Sequence, residues 1–223
     1  MELRTYPLGP LQSNLYMIAF GSDAFIIDPS VPYDILDLSG YRIRGIFCTH
    51  SHYDHIADAE NMRKQTGAIV LIHESEVEFL MDPSKNRAMS FGFPKRPVSA
   101  PVGGLKDGDL LTAADFGFES SESFTISIIH TPGHTKGSMC LLFDVKTGNN
   151  RGQYLFSGDT VFAGTVGRTD LGGNMADMMH SVARLKQLPD EVAVYPGHGQ
   201  STTIGAEKRD NPYFTAGNYD DII

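Results

Sequence analysis

The chain has 223 residues, of which 41% are hydrophobic, so it can build a sizeable core and is not expected to be disordered. Its net charge of −9 at pH 7 offers no basic surface for nucleic acid, which makes nucleic-acid binding a poor hypothesis. The N-terminal residues lack a signal-peptide pattern and no run of about 18 apolar residues occurs, so we expect a cytoplasmic protein that does not cross a membrane.

Three apolar segments at the start of the chain predict short strands in a meander. They cover residues 3–7, 15–20 and 24–27 and are separated by Gly-Pro and Gly-Ser-Asp turn sequences. A fourth apolar segment, 45–48, predicts a buried strand. It contains Cys48, and a later apolar strand contains Cys140. We expect two buried thiols rather than a disulfide, which fits a reducing compartment.

The fourth strand leads directly into three histidines and one carboxylate, in the sequence Thr49-His50-Ser51-His52-Tyr53-Asp54-His55. If the chain stays extended, alternation places His50, His52 and Asp54 on one side, and His55 then needs a turn. A helix over 54–67, with Asp54 as its N-cap and Gly67 at its end, supplies that turn. The spacing therefore predicts two ligand groups, with His50 and His52 on one metal ion and Asp54 and His55 on a second.

The residue types in this motif restrict the metal. Imidazole and carboxylate together favour zinc, iron or manganese over calcium or magnesium, and the absence of thiolates argues against a closed structural zinc site. The alternative is a set of solvated loop histidines, which seldom crowd together in this way.

A second strand and helix follow over 68–72 and 74–81, with His73 at their junction. We interpret His73 as a surface or capping histidine rather than a metal ligand, because no partner lies at ligand spacing. Lys106-Asp107-Gly108-Asp109 then predicts a turn.

Residues 82–104 contain four prolines and two basic pairs, Lys85 with Arg87 and Lys95 with Arg96. No regular element is predicted there. A loop of this length is commonly a lid or a binding loop, so the segment is a candidate substrate cover, and a disordered connector is the alternative.

The second half of the chain presents further polar residues at strand ends. A strand over 124–129 leads through His130, which we assign to the core or to a supporting role, into Pro132-Gly133-His134. Strands over 138–143 and 153–156, joined by a turn-rich connection, lead to Gly158-Asp159-Thr160, and one carboxylate can bridge two metals. After an amphipathic helix over 174–188, a strand over 192–195 ends in Pro196-Gly197-His198.

Strands and helices occur in both halves of the chain, and a short helix begins near Thr203. Two sheets sandwiched between outer helices, an α/β fold in an αββα arrangement, would account for this layout, with the ligands along one edge.

With these residues assembled, the chain resembles the metallo-β-lactamase superfamily and, within it, the glyoxalase II-like hydrolases. The resemblance spans nearly the whole chain and is carried by the His50–His55 motif, Thr131-Pro132-Gly133-His134-Thr135, Gly158-Asp159-Thr160 and Pro196-Gly197-His198-Gly199. It implies one metal on His50, His52 and His134, a second on Asp54, His55 and His198, and a bridging Asp159.

Two further segments, Gly167-Arg168-Thr169-Asp170-Leu171 and Thr202-Thr203-Ile204-Gly205, resemble the compact bacterial glyoxalase II-like subgroup. Longer members have a C-terminal helical domain that helps bind glutathione, whereas only about 25 residues follow His198 here, so we expect a single domain over 1–223. Arg168 lies where the family places a cationic glutathione-binding residue, and an ion pair with Asp170 is the alternative.

The resemblance implies a two-metal hydrolase in which a shared hydroxide attacks an S-acyl thioester, with S-lactoylglutathione as a candidate substrate and Asp54 orienting the nucleophile. Zinc is the expected metal, with iron or manganese as alternatives. The first rival function is a persulfide dioxygenase with one iron on His50, His134 and Asp159 and with the other metal-like residues retained. The others are a lactonase or β-lactamase, a nuclease, and a noncatalytic metal-binding protein.

Overall fold

Strands and short helices alternate along the computed structural model, which describes residues 1–82, 84–94, 97–99, 102–118, 123–148 and 150–216. The first sheet contains six strands in sequence order: β1 (Glu2–Tyr6), β2 (Leu15–Phe20), β3 (Asp23–Ile27), β4 (Arg42–Phe47), β5 (Ile69–His73) and β6 (Val102–Leu105). The first three strands are antiparallel, which confirms the predicted meander, and β3 to β6 are parallel. Every residue of β2 is buried, as expected for a strand covered on both faces.

In the described part of the second half of the chain, the strands range from two to nine residues in length. They are β7 (Leu110–Thr112), β8 (Ser123–His130), β9 (Met139–Thr147), β10 (Asn150–Gly158), β11 (Val161–Phe162), β12 (Thr165–Val166), β13 (Ala193–Pro196) and β14 (Thr202–Thr203). The second sheet has the order β14-β13-β10-β9-β8-β7, and β11 pairs with β12 in a separate hairpin. Within this sheet β10 and β13 are parallel and the other pairs are antiparallel.

Helices cover the outer faces of the two sheets: α1 (Tyr53–Ile56), α2 (Ala59–Thr66), α3 (Val77–Met81), α4 (Met175–Leu185), α5 (Ile204–Asp210) and α6 (Pro212–Thr215). A buried cluster rich in phenylalanine fills the space between the sheets, where Phe25 of β3 contacts Phe124 of β8 and Phe143 of β9. Two further clusters join the first sheet to α2 and the second sheet to α4. The αββα sandwich that the sequence predicts is confirmed.

The predicted helix over 54–67 is wrong in its start and its continuity. It consists of α1 and α2, and His52 rather than Asp54 stands at the N-cap of α1. Asp58 lies at the break, where its backbone N–H donates to Pro29 O at 2.9 Å, so a tertiary contact outweighs helix continuation. Gly67 does end α2 in a left-handed conformation, with φ +71°.

Other differences concern element boundaries. Strands β9 and β10 extend to Thr147 and from Asn150, so the connection between them is shorter than the sequence predicts. Within 82–104 the structure has a 3-10 turn, Met89–Phe91, and strand β6, while Lys95 and Arg96 lie outside the described residues. Cys48 and Cys140 are free and buried, as predicted. No helix in the described part of the chain is long and apolar enough to span a membrane.

Candidate metal centre

Four strand ends bring the polar motifs together at one edge of the sandwich. His50 and His52 follow β4, His134 follows β8, Asp159 follows β10 and His198 follows β13. Two glycines make this convergence possible. Gly158 has φ +49°, and a side chain at Gly197 would collide with the carboxylate of Asp159. Both strand ends therefore need glycine at the point where they approach the centre.

The first ligand group consists of His50, His52 and His134, and all three side chains are buried. One nitrogen of each imidazole lies within 4.8 Å of the others. The closest pair is His52 Nδ1 and His134 Nε2, at 2.8 Å. Three converging imidazoles are a common zinc-binding set.

The second group consists of Asp54, His55 and His198, whose ligand atoms also lie within 4.8 Å of one another. His198 Nε2 is 3.2 Å from Asp54 Oδ2 and 3.3 Å from His55 Nε2. This group is less enclosed, because the Asp54 and His198 side chains are 13% and 26% exposed.

Asp159 lies between the two groups. One carboxylate oxygen is 3.5 Å from His134 Nε2 in the first group, and the other is 3.3 Å from His55 Nε2 in the second. The structure thus brings all seven predicted residues together, in three overlapping sets. A third set of His50, His55 and Asp159 links the two groups described above.

The hydrogen bonds of the imidazoles show which nitrogen of each ring is free. His134 Nδ1 lies 2.6 Å from Arg168 O, and His52 Nε2 lies 3.3 Å from Leu171 O. A carbonyl oxygen only accepts, so both of these nitrogens carry the proton. The opposite nitrogens, His52 Nδ1 and His134 Nε2, then present lone pairs to each other at 2.8 Å, an arrangement that a cation bound by both nitrogens would stabilise.

The ring of His50 also has one protonated nitrogen and one free nitrogen. Its Nδ1 lies 3.1 Å from Thr49 Oγ1, and that hydroxyl donates to Asp28 Oδ2 at 2.8 Å, so it accepts from His50. The free Nε2 of His50 is buried and has no hydrogen-bond partner among the described residues. Asp159 Oδ1 also makes no hydrogen bond there, although it lies 3.3 Å from His55 Nε2. Buried polar atoms are rarely left unpaired, so these residues fit a bound metal ion.

Asp28 supports both groups from behind, and the sequence analysis did not identify it. It is buried with φ +52°, and its carboxylate accepts from Thr49 N at 2.7 Å and from His55 Nδ1 at 2.9 Å. A carboxylate behind a metal-ligating histidine fixes its tautomer and increases its basicity. Its position at the end of β3, parallel to β4, is the signal that could have revealed it.

Glu76 is a second buried carboxylate that the sequence analysis missed. Its two oxygens accept from Ser51 N at 2.7 Å and from Gly137 N at 3.0 Å. Ser51 lies between His50 and His52, and Gly137 belongs to the turn after His134. Glu76 therefore joins the two chain segments that supply the first group.

Burial and neighbouring charges set the protonation of the metal-free centre. Burial lowers the pKa of His50 well below its usual range, and burial next to His134 lowers the pKa of His52 to about 3. Burial also opposes the charge on His55, but Asp159, Asp54 and Asp28 outweigh it and raise the pKa of that imidazole well above its usual range. Burial likewise opposes ionisation of Asp159, yet His55 and the other imidazoles lower its pKa well below normal. In the metal-free centre His50 and His52 are thus neutral, whereas His55 and Asp159 carry opposite charges.

A cavity of about 340 Å³ opens onto the centre. Five of the seven ligand residues line it, together with an apolar wall from Leu11, Tyr53, Phe91, Phe93, Phe162 and Leu171. Arg168 also lines it and forms a bidentate pair with Asp170, with both distances at 2.6 Å. The ion pair expected as the alternative is therefore present, and glutathione binding by Arg168 stays a prediction. A larger cleft of about 780 Å³ contains none of the seven residues.

The other two histidines of interest lie outside the centre. His73 caps the 3-10 turn at Glu74–Glu76 by accepting from Ser75 N, which confirms the capping interpretation. His130 stacks on His73 with ring centroids 4.0 Å apart, and its Nε2 donates to Lys136 O at 2.9 Å.

The chain is similar to known proteins along most of its length. The sequence profile described as Metallo-beta-lactamase superfamily matches residues 8–198. The protein ML0493 of Mycobacterium leprae is 36% identical, with 96% of this chain and 98% of that protein aligned. The hydroxyacylglutathione hydrolase GloC of Haemophilus influenzae is 30% identical, with 97% of this chain and 99% of that enzyme aligned.

Solved structures show the same fold. The crystal structure of the BLEG-1 B3 metallo-β-lactamase superposes with a TM-score of 0.80 and 32% identity, covering 96% of this chain and all of that one. The structure of TTHA1623 in a di-iron-bound form superposes with a TM-score of 0.77 and 30% identity, covering 94% and 99%.

Proposed function

The chain belongs to the metallo-β-lactamase superfamily as a metal-dependent hydrolase, and on that premise we propose that its two-metal centre hydrolyses S-acyl thioesters. The observation that carries this proposal is the pair of ligand groups that share Asp159. The ligand set does not by itself separate this reaction from a mononuclear dioxygenase, which would keep the same residues. The Pro196-Gly197-His198 turn and the Thr202-Thr203-Ile204-Gly205 segment favour the hydrolase.

Two divalent ions bound there would supply a hydroxide at neutral pH and polarise a substrate carbonyl. The protein residues hold this chemistry in place. His50, His52 and His134 would hold one ion through their free nitrogens, and Asp159 would offer an oxygen to each ion. Asp54 lines the cavity and is partly exposed, and it would accept a hydrogen bond from the nucleophile and orient it.

The acidity of a thiol leaving group, the apolar wall of the cavity and the similarity to GloC all favour a thioester substrate. Thiolates have an ordinary pKa of about 8.5, so the leaving group departs without a dedicated general acid. The apolar wall can accommodate an acyl chain, and the similarity to GloC supports a glutathione thioester such as S-lactoylglutathione. Binding of the glutathione portion by Arg168 stays a prediction.

Zinc is the metal that we propose, because the donor set is rich in imidazole. Iron is the alternative, and the di-iron form of TTHA1623 favours keeping it. The persulfide dioxygenase alternative also uses iron, so metal identity and reaction must be measured together.

The test combines metal analysis of the purified protein with parallel assays of S-lactoylglutathione hydrolysis and of oxygen consumption on glutathione persulfide. We expect two metal ions per chain, thioester hydrolysis and no oxygen uptake. One iron per chain with oxygen consumption would replace this proposal by the dioxygenase. High activity on other esters without thioesterase activity would refute the substrate assignment alone.

A further inference from the structure

Arg87 stands at the junction of two cavities, one of which contains the metal centre. The main cavity of about 340 Å³ and a smaller recess of about 220 Å³ share three lining residues, His52, Arg87 and Leu171. Arg87 Nε donates to Leu171 O at 3.2 Å, and the same carbonyl accepts from His52 Nε2 at 3.3 Å. The guanidinium is therefore one shared acceptor away from a metal-ligating imidazole.

The local backbone holds Arg87 in this position. Its φ is +65°, a left-handed conformation that residues with a β-carbon rarely adopt. The preceding residue, Asn86, is fully buried, and its carbonyl accepts from Tyr53 N in α1 at 3.0 Å. The loop that carries Arg87 is thus attached to the helix that carries Asp54 and His55.

Arg87 differs from Arg168, the other arginine of the main cavity, in how its charge is paired. Both oxygens of Asp170 already accept from Arg168. Among the residues that the structure describes, no carboxylate lies within salt-bridge distance of the Arg87 guanidinium. Arg87 is half-buried and retains donor groups that can bind an anion.

The smaller recess is also positively charged. Lys85, Arg87 and Lys136 line it, and its one acidic lining residue is Glu76. Both oxygens of Glu76 are directed at the backbone amides of Ser51 and Gly137. Lys85 has its own partner, Glu78, at 3.0 Å, which leaves Arg87 and Lys136 as the cations that face an incoming group.

We propose that Arg87 is a specificity residue that binds a carboxylate or phosphate group of the substrate, so that the enzyme prefers anionic thioesters over neutral ones. This inference rests on the proposed thioesterase function. A planar guanidinium matches carboxylate and phosphate oxygens in a bidentate geometry, which lysine cannot reproduce. A substrate whose carbonyl lies at the metal centre would extend its anionic end past His52 to Arg87.

The test compares two thioesters of equal size, 3-(acetylthio)propionate and its neutral amide, 3-(acetylthio)propionamide, with the zinc-loaded parent and the Arg87→Gln variant. We expect the parent to favour the carboxylate in kcat/KM, and Arg87→Gln to reduce that preference by about 10- to 100-fold, the range for a hydrogen bond to a charged group. The loss should appear in KM, with the amide nearly unaffected. Arg151→Gln is the matched control, because Arg151 is an exposed arginine paired with Asp144 away from the centre.

Equal losses on both substrates would assign Arg87 a structural role and overturn the inference, as would an anion preference that survives in Arg87→Gln. A binding measurement separates this outcome from failure of the proposed function. If the parent hydrolyses neither thioester, calorimetry with 3-(methylthio)propionate and 3-(methylthio)propionamide still shows whether Arg87 binds an anion. Tighter binding of the carboxylate that depends on Arg87 supports the anion site, and equal affinities or a preference independent of Arg87 reject it.

Discussion

The two ligand groups of the centre differ in enclosure, charge and support. His50, His52 and His134 are buried, and each ring is held by an oxygen acceptor from the protein. In the second group, Asp54 and His198 face the cavity and are partly exposed. We therefore expect the first group to be the preorganised, tighter metal site. We expect substrate to arrive, and metal to exchange more readily, at the second group.

The largest effect should come from Asp159, the residue that the two groups share. Loss of a residue that only supports a metal ligand costs about 10- to 100-fold in affinity or activity, so Asp159→Ala should cost more than 100-fold in hydrolysis and weaken both metals. Metal analysis and steady-state assays measure this. If Asp159→Ala lost only one metal and kept most activity, Asp159 would belong to one group alone and would not be shared by both.

Asp54→Ala should break the second group alone. We expect turnover to fall by about 100-fold or more, with one metal retained on the first group and the fold kept, because a ligand and the residue that orients the nucleophile are both lost. Metal stoichiometry and circular dichroism provide the measurements, and Asp34→Ala, an exposed acid outside the centre, is the control. Parental activity in Asp54→Ala would refute the role assigned to Asp54.

Asp28→Asn tests the support behind the second group. The amide keeps the shape of the side chain but cannot accept from Thr49 N, Thr49 Oγ1 and His55 Nδ1 at once. The affinity for the second metal should fall by about 10- to 100-fold, with a smaller loss at the first metal. Competition with a chelator measures both affinities, and an unchanged second site would show that the ring of His55 is fixed by other contacts.

Glu76→Gln is the corresponding test for the first group. A glutamine offers one oxygen where Glu76 uses two, so one of the amides of Ser51 and Gly137 loses its partner, at a cost of about 1–3 kcal/mol in the free energy of unfolding. The affinity of the first metal should fall while the second changes little. Denaturant unfolding measures the free energy of unfolding, and chelator competition measures the affinity of each metal. A selective loss at the second site would contradict the assignment of Glu76.

His52 of the first group and His55 of the second should respond in opposite ways to pH once the metals are removed. The pKa of His52 is lowered to about 3 by burial next to His134, so unfolding takes up a proton and stability is lost as pH falls from about 6.5, the unfolded value. The carboxylates raise the pKa of His55, so its contribution is present below pH 6.5 and lost as pH rises through the folded value.

Two variants separate these contributions in unfolding curves of the metal-free protein. His52→Gln should make the protein less sensitive to acid, and His55→Gln should make it less stable at acidic and neutral pH. The same pH response in both variants would contradict the opposite pKa shifts of His52 and His55.

Much of this centre could be predicted because its ligands follow buried strands. The crowded His50–His55 motif indicates two groups through its spacing, and the Pro-Gly-His turns point to His134 and His198. Spacing cannot show which of these two joins which group, since that depends on how β8 and β13 are placed in the second sheet; the family resemblance supplied that pairing.

The supporting residues were missed for a different reason. Asp28 and Glu76 are single acids with no ligand spacing, and their roles arise from hydrogen bonds to segments that are distant in sequence. The helix break at Asp58 likewise depends on a contact with Pro29. Strands as short as β7 and β14 contain too few residues to produce a period of two.

The central claim is that two unequal metal sites act together in one hydrolase centre. Stepwise zinc titration of the metal-free protein, followed in parallel by calorimetry and by thioester hydrolysis, tests it most directly. We predict two binding events per chain, the first tighter than the second, with hydrolysis rising mainly during the second. A single binding event, or full activity after one equivalent of zinc, would contradict it.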